Sequence, residues 1–301
     1  MDETGRNEEV EKDLNSTGQE SAMPCREPVL GNKERSSDVD YADNLAQPYV
    51  YAIGRVEPRF SQVALEKEFA QAVGRGEAEG LTDRQAAHKV LSQRENRYIV
   101  RQLCWVLICE GLETYILQPR DPVDFELLIQ ALRLAPRLTD VDVVIGLKGP
   151  VARPELCSGL TIPVVVFDQI YSFDIDSLIK AMPRPKEMTE KEFAPAAEEL
   201  LTRIMQLADN KGATDEHRAV NYLAVRYPVI YAKIAEAHLH NASLTAVSVI
   251  ASRLSGLRRV VDVIFSLTHR ETDVTEKYFV RVDVTEEFPF LITKLSPYYD
   301  R

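Results

Sequence analysis

No apolar run in the 301 residues reaches the roughly 18 needed to cross a bilayer, so no membrane-spanning helix is expected. Positive charge is also short. Lys and Arg number 36 against 47 Asp and Glu, which leaves a formal net charge of -11. That balance argues against a broad surface for nucleic acid or for an anionic membrane, and neither is expected as a partner. The four cysteines, Cys25, Cys104, Cys109 and Cys157, form no CxxC pair. The close ligand spacing of a structural zinc site is therefore missing, and neither metal nor cofactor is expected. Cys104 and Cys109 flank the apolar run Trp105 to Ile108 and are read as buried, reduced thiols. A G-x-S-x-G nucleophile elbow is absent, and so are tandem repeats. The opening MDETGRNEEVEKDL is acidic and polar, unlike a secretory signal, so a cytoplasmic protein is expected.

What is present suits a globular chain: 45% of residues are hydrophobic and 28% charged. Residues 1–46 are too polar to bury a core and are read as a disordered acidic arm. A first unit is expected over 47–183 and a second over 184–301, with the break at Pro183 and Pro185. The first unit opens with a short strand, Tyr49 to Val56, closed by Glu57-Pro58. A helix from Gln62 to Val73 follows, then one from Arg84 to Ser92 behind the cap Thr82-Asp83. Tyr98 to Cys109 reads as a strand, with a buried helix as its competitor. Glu110-Gly111 turns it back along Leu112 to Leu117. Asp121-Pro122 starts a helix that runs through Leu134. Strands follow at Val141 to Leu147 and Ile162 to Phe167, and Asp174 caps a helix to Met182.

In the second unit helices are expected over Glu190 to Asp209, Glu216 to Arg226 and Pro228 to His238. A strand follows at Leu244 to Leu254. Two β-rich runs, Val260 to Leu267 and Tyr278 to Val284, then form a long antiparallel hairpin. The fold class is α+β, two mixed units without regular βαβ alternation.

Three groups carry candidate chemistry. His217, Arg218, Asn221, Tyr222 and Arg226 share one predicted helix, with His217 and Asn221 four apart, as are Arg218 and Tyr222. They make either a capped structural helix or a polar pocket. Asp262, Arg281 and Asp283 sit on the hairpin, where opposed charges ordinarily form ladder pairs; turned inward they would build a buried network. The end, EEFPF to SPYYDR, brings Phe288, Phe290, Tyr298 and Tyr299 together as a packed strap or as a peptide groove. His238 and His240 are the closest histidine pair, and a helix C-terminus accounts for His238 without a metal.

Long blocks of the chain resemble one family. YVYAIGRVEPRF (Tyr49 to Phe60), VALEKEFAQ (Val63 to Gln71) and ENRYIVRQLCWVLICEGLETYILQPRDP (Glu95 to Pro122) resemble the PatG-type domain of cyanobactin biosynthesis. DEHRAVNYLAVRYPVIY (Asp215 to Tyr231) and RVDVTEEFPFLITKLSPYYDR (Arg281 to Arg301) look like its C-terminal companion. In that family this region is a domain of unknown function behind a subtilisin-like maturation protease, whose Ser/His/Asp blocks this chain lacks. The resemblance implies a stand-alone accessory or scaffold protein of peptide natural-product maturation, with a precursor peptide or a maturation enzyme as partner. Enzyme status stays open and leans towards none. The alternatives are a peptide-modifying enzyme using His217, Arg218, Asn221 or Asp262, and an oligomerisation module that would make a homo-oligomer.

Overall fold

A computed structural model describes residues 49–75, 81–137, 139–182, 189–205 and 209–299, all within one compact unit. The arm expected over 1–46 and the boundary expected at 183/184 lie outside the described residues.

Five strands close a barrel in the order β1-β2-β3-β5-β4: β1 (Tyr49–Arg59), β2 (Cys104–Cys109), β3 (Leu112–Pro119), β4 (Asp140–Val151) and β5 (Pro163–Asp174). β1 makes the closure by dividing its length. Tyr49 to Gly54 pair with β4, while Arg55 to Arg59 pair with β2. Only β3 and β5 run parallel. Alternation along β1 sends Val50, Ala52 and Val56 to one core, and Tyr51 and Ile53 to the other.

The first core fills the barrel and is closed by helices α1 (Val63–Arg75), α2 (Asp83–Leu91), α3 (Arg97–Gln102) and α4 (Phe125–Leu132). Thr82 and Gln85 form a capping box at the start of α2. The second core lies between the outer barrel wall and a four-stranded sheet. It holds Tyr51, Ile53, Val143 and Ile145 from the barrel. Helices α5 (Ile175–Ala181), α6 (Glu190–Met205), α7 (Asp215–Arg226) and α8 (Val229–Leu239) add their apolar faces.

The four-stranded sheet is antiparallel throughout, in sequence order: β6 (Ala242–Ala251), β7 (Val260–His269), β8 (Thr275–Asp283) and β9 (Phe290–Pro297). Val261, Val263, Phe265 and Leu267 of β7, with Val280 and Val282 of β8, face the helices. The α+β class and the long C-terminal hairpin are thus as the sequence predicts.

Several local expectations are corrected. β1 continues through Glu57-Pro58 to Arg59, with Pro58 opposite Trp105. The run Tyr98 to Cys109 is helix and then strand, because Leu103 turns extended (φ -63°, ψ 146°) and starts the chain along β2. The helix expected from Asp121 begins as a 3-10 turn over Pro122–Asp124, and α4 stops at Leu132, where Arg133 takes φ 57°. The terminal block contains an edge strand, β9.

The expectation of reduced thiols also fails for two cysteines. Cys104 and Cys157 form a disulfide, with Cα atoms 5.5 Å apart, while Cys109 is free and buried. The two are 53 positions apart in sequence: Cys104 opens β2, and Cys157 follows a 3-10 turn, Pro154–Leu156, in the connection from β4 to β5. Among the described residues no helix is long and apolar enough to cross a membrane.

Candidate binding surface and its supports

α7 packs against both sheets, and its sequence explains why. Thr214 caps it by accepting the His217 N–H at 3.2 Å. Arg218, Tyr222 and Arg226 follow at intervals of four and form one stripe along the helix. That stripe lies against tyrosines of the barrel wall. The Arg218 guanidinium sits 5.3 Å above the Tyr49 ring, and Tyr222 meets Tyr51 edge-on at 6.3 Å. The Arg226 guanidinium lies 4.5 Å above the Tyr171 ring.

Arg218 is fully buried and works on main-chain carbonyls. It donates to Val284 O at 2.7 Å, to Glu286 O, and to Glu287 O at 3.3 Å. Asp215 stands 3.6 Å away. Burial lowers the Arg218 pKa to about 10, and the Asp215 carboxylate opposes that shift. Arg259 adds a second clamp, donating its backbone N–H to Thr285 Oγ1 at 2.8 Å and its guanidinium to Thr285 O at 3.1 Å. The segment after β8 is therefore tied down.

Asn221, also fully buried, gives its amide to Tyr51 O at 2.8 Å and to Asn210 Oδ1 at 3.1 Å, and accepts from Asn210 Nδ2 at 2.8 Å. Tyr51 N–H donates to Gly212 O at 2.8 Å. Gly212 holds φ +67°, and a Cβ there would lie 2.3 Å from Tyr51 O, so only glycine fits.

The hairpin charges form a ladder on the face of the second sheet that points away from the helices. Asp262 and Arg281 are opposite each other across β7 and β8 and pair through two bonds, at 2.7 and 3.0 Å. This pair holds the Arg281 pKa up. Asp283 pairs with Arg258 and accepts the Thr285 N–H at 2.8 Å. Arg281 lies 5.4 Å over Phe279, Phe279 meets Tyr298 edge-on at 5.8 Å, and Arg258 lies 5.2 Å over Phe290. Phe290 and Ile292 of β9 stay 46% and 40% exposed there, and Ile250 of β6, on the opposite edge strand, is 43% exposed. Tyr298 N–H donates to Lys277 O at 2.8 Å, and Tyr299 is 79% exposed. Among the described residues β6 and β9 each pair with a single neighbour, which leaves an edge at each side of the sheet.

The structure thus sorts the predicted residues into two groups. Arg218, Asn221, Tyr222 and Arg226 line the seam between barrel and α7, with His217 at the helix cap. Asp262, Arg281, Asp283 and Tyr298 share the outer sheet face. Strand alternation places Asp262 on the side away from α7, so it does not converge with His217. His238 meets Glu199 at 3.3 Å.

Two features had no counterpart in the sequence reading. Asp168 of β5 and Glu287 of the clamped segment form a carboxyl pair, with Arg120 at 2.6 Å from Asp168 and 3.8 Å from Glu287. Burial, then the hydrogen bond and charge of Asp168, push the Glu287 pKa up to about 7. Three distant stretches build that cluster, so no local pattern marks it. The other is a cleft of about 600 Å³ between the end of β1, α1 and α2, with Phe60, Phe69, Val73 and Leu91 in its wall. The helical spacing of Phe69 and Val73 was the available signal.

A five-stranded barrel joined through a helical layer to an open antiparallel sheet defines the class. Residues 187–298 match the family model described as PatG C-terminal. The solved structure of a PatG Domain of Unknown Function shares the fold, with a TM-score of 0.68 at 21% identity over 84% of this chain and 99% of that one. No curated protein matches the chain. The resemblance to the PatG domain of unknown function therefore holds in fold across most of the chain and in sequence over its C-terminal part.

Proposed function

We propose that this chain is a non-catalytic accessory or scaffold protein of cyanobactin-like peptide maturation, which binds a precursor peptide or a maturation enzyme on the outer face of its second sheet. One observation carries the reading: Phe290 and Ile292 stand exposed beside the Arg258 and Arg281 stacks. Aromatic and Arg side chains on a rigid sheet suit an extended peptide, which can add to an edge strand while its side chains meet the face. In this proposal Asp262, Arg281, Asp283, Tyr298 and Tyr299 frame the surface. Arg218, Asn221, Tyr222 and Arg226 hold it against the barrel. The protein is placed in the cytoplasm, where reducing conditions would act on the Cys104–Cys157 bond.

The Asp168–Glu287 pair favours a second reading, a peptide-modifying enzyme. A carboxyl whose pKa is pushed up to about 7 beside a second carboxyl is suited to general acid–base work. Mass spectrometry of the precursor peptide, coexpressed with and without this protein, separates the two readings. An unchanged mass together with measurable binding supports the scaffold. A changed mass that reverts in Glu287→Gln supports the enzyme.

A further inference from the structure

Helix α1 carries apolar residues on two stripes. Leu65 and Ala72 are buried in the core that fills the barrel. Glu66, Phe69, Ala70 and Val73 recur at helical spacing on a second stripe, and all four line the cleft of about 600 Å³ at the end of β1. Asp83, Ala86, Ala87 and Leu91 of α2 line the same cleft. Its volume and its mainly apolar walls are those of a ligand site. Phe60 and Phe69 lie 5.3 Å apart and back onto the barrel core, yet both are only half-buried, as is Val73. Small side chains at Ala70, Ala86 and Ala87 leave room beside the two rings.

The lining charges are three acids, Glu57, Glu66 and Asp83, against one base, Arg84. Arg84 is already committed. Its guanidinium donates to Ala131 O at 2.9 Å and to Leu132 O at 3.2 Å, and it stands 3.7 Å from Glu57. Glu66 and Asp83 are exposed, and among the described residues neither has a cationic partner. Negative charge is thus left over on both helices. The helix dipole favours an acid in each first turn, where Glu66 and Asp83 lie. It does not account for the half-buried aromatic wall that shares the cleft with them.

We propose that this cleft binds a basic peptide segment in which one large apolar side chain is flanked by Lys or Arg. The apolar side chain packs against Phe60 and Phe69, and the flanking cations meet Glu66 and Asp83. Two carboxylates on two different helices call for two cations. A peptide carries them on either side of one apolar side chain, and a simple amine does not. The cleft shares no residue with the outer sheet face and does not depend on the function proposed for that face.

Fluorescence anisotropy with the full chain, at low and fixed ionic strength, tests this with three labelled peptides of equal length. Their cores are Lys-Phe-Lys, Lys-Ser-Lys and Glu-Phe-Glu, each between glycines. The expected result is saturable 1:1 binding of the Lys-Phe-Lys peptide. The Lys-Ser-Lys peptide should bind at least about tenfold more weakly, because it has no ring to bury, and the Glu-Phe-Glu peptide should not bind. Ala70→Trp, at an exposed position of α1, fills the cleft and should remove binding. Glu66→Gln/Asp83→Asn should weaken it severalfold, by a margin that shrinks as salt is added. That second variant keeps the test informative if Ala70→Trp does not fold. Phe290→Ser/Ile292→Ser should bind the Lys-Phe-Lys peptide as the wild type does; a loss there would move the peptide to the outer sheet face and overturn the assignment to the cleft. No saturable binding, equal binding of the Lys-Phe-Lys and Lys-Ser-Lys peptides, or undiminished binding by either cleft variant would also overturn it.

Discussion

The Asn221 amide donates to the Tyr51 carbonyl at 2.8 Å, across 170 positions of sequence. Both residues are buried, one on α7 and the other on the barrel wall, and the bond ties the helical layer to the barrel. Asn221→Leu keeps the bulk but leaves the Asn210 side chain and the Tyr51 carbonyl short of partners. A loss of about 1–3 kcal/mol in urea unfolding is expected, with the slope of the transition unchanged.

Arg218 serves the segment after β8 in the same manner. Arg218→Met should cost about 3 kcal/mol or more, because it strips donors from the carbonyls of Val284, Glu286 and Glu287 and leaves Asp215 with less compensation. Hydrogen exchange should rise first over 284–287. Equal protection in variant and wild type would remove Arg218 as the clamp.

Glu287 makes stability depend on pH in a definite direction. Its pKa in the folded protein is about 7, above the ordinary 4.5, so folding favours the protonated carboxyl. The contribution is complete below about 4.5 and is lost as pH rises to about 7. The groups that set this are Asp168, whose charge raises the value, and Arg120 and Arg218, which lower it. Glu287→Gln should therefore flatten the fall in melting temperature between those limits. A wild-type curve that rises through the same interval, with Glu287→Gln unchanged from it, would reverse the assignment.

The disulfide can be tested by difference. Closing a loop of 53 residues is worth roughly 4 kcal/mol in the chain-entropy account. Cys157→Ser, or reduction of the wild type, should lower the melting temperature, and thiol labelling of the unfolded oxidised protein should spare Cys104 and Cys157.

Much of this architecture is legible in the sequence where one local rule decides it. Thr82, Asp174 and Thr214 each accept a backbone N–H at a helix start, as their position before an apolar period predicts. The β7–β8 hairpin follows from its β-branched runs, and its opposed charges do pair as a ladder, Asp262 with Arg281. Where two rules compete, the reading fails. Tyr98 to Cys109 suits both helix and strand, and the chain uses both. β9 follows Pro289 and is interrupted by two register shifts, so its alternation is weak. Barrel closure, the Cys104–Cys157 bond and the Asp168–Glu287 pair depend on contacts between distant stretches, which no periodicity encodes. The α7 residues were visible as a cluster. Their tyrosine partners on β1 and β5 were not, because strand alternation alone does not say which helix a face will meet.

The central claim is that the outer face of the second sheet binds a peptide, and a titration tests it directly. A fluorescently labelled precursor peptide from the same gene cluster would be titrated by anisotropy with the wild-type protein and with Phe290→Ser/Ile292→Ser, two changes at exposed positions that should leave the fold intact. The account predicts saturable binding by the wild type and at least about tenfold weaker binding by the double variant, with equal melting temperatures. Equal affinity of the two proteins for the peptide would contradict it.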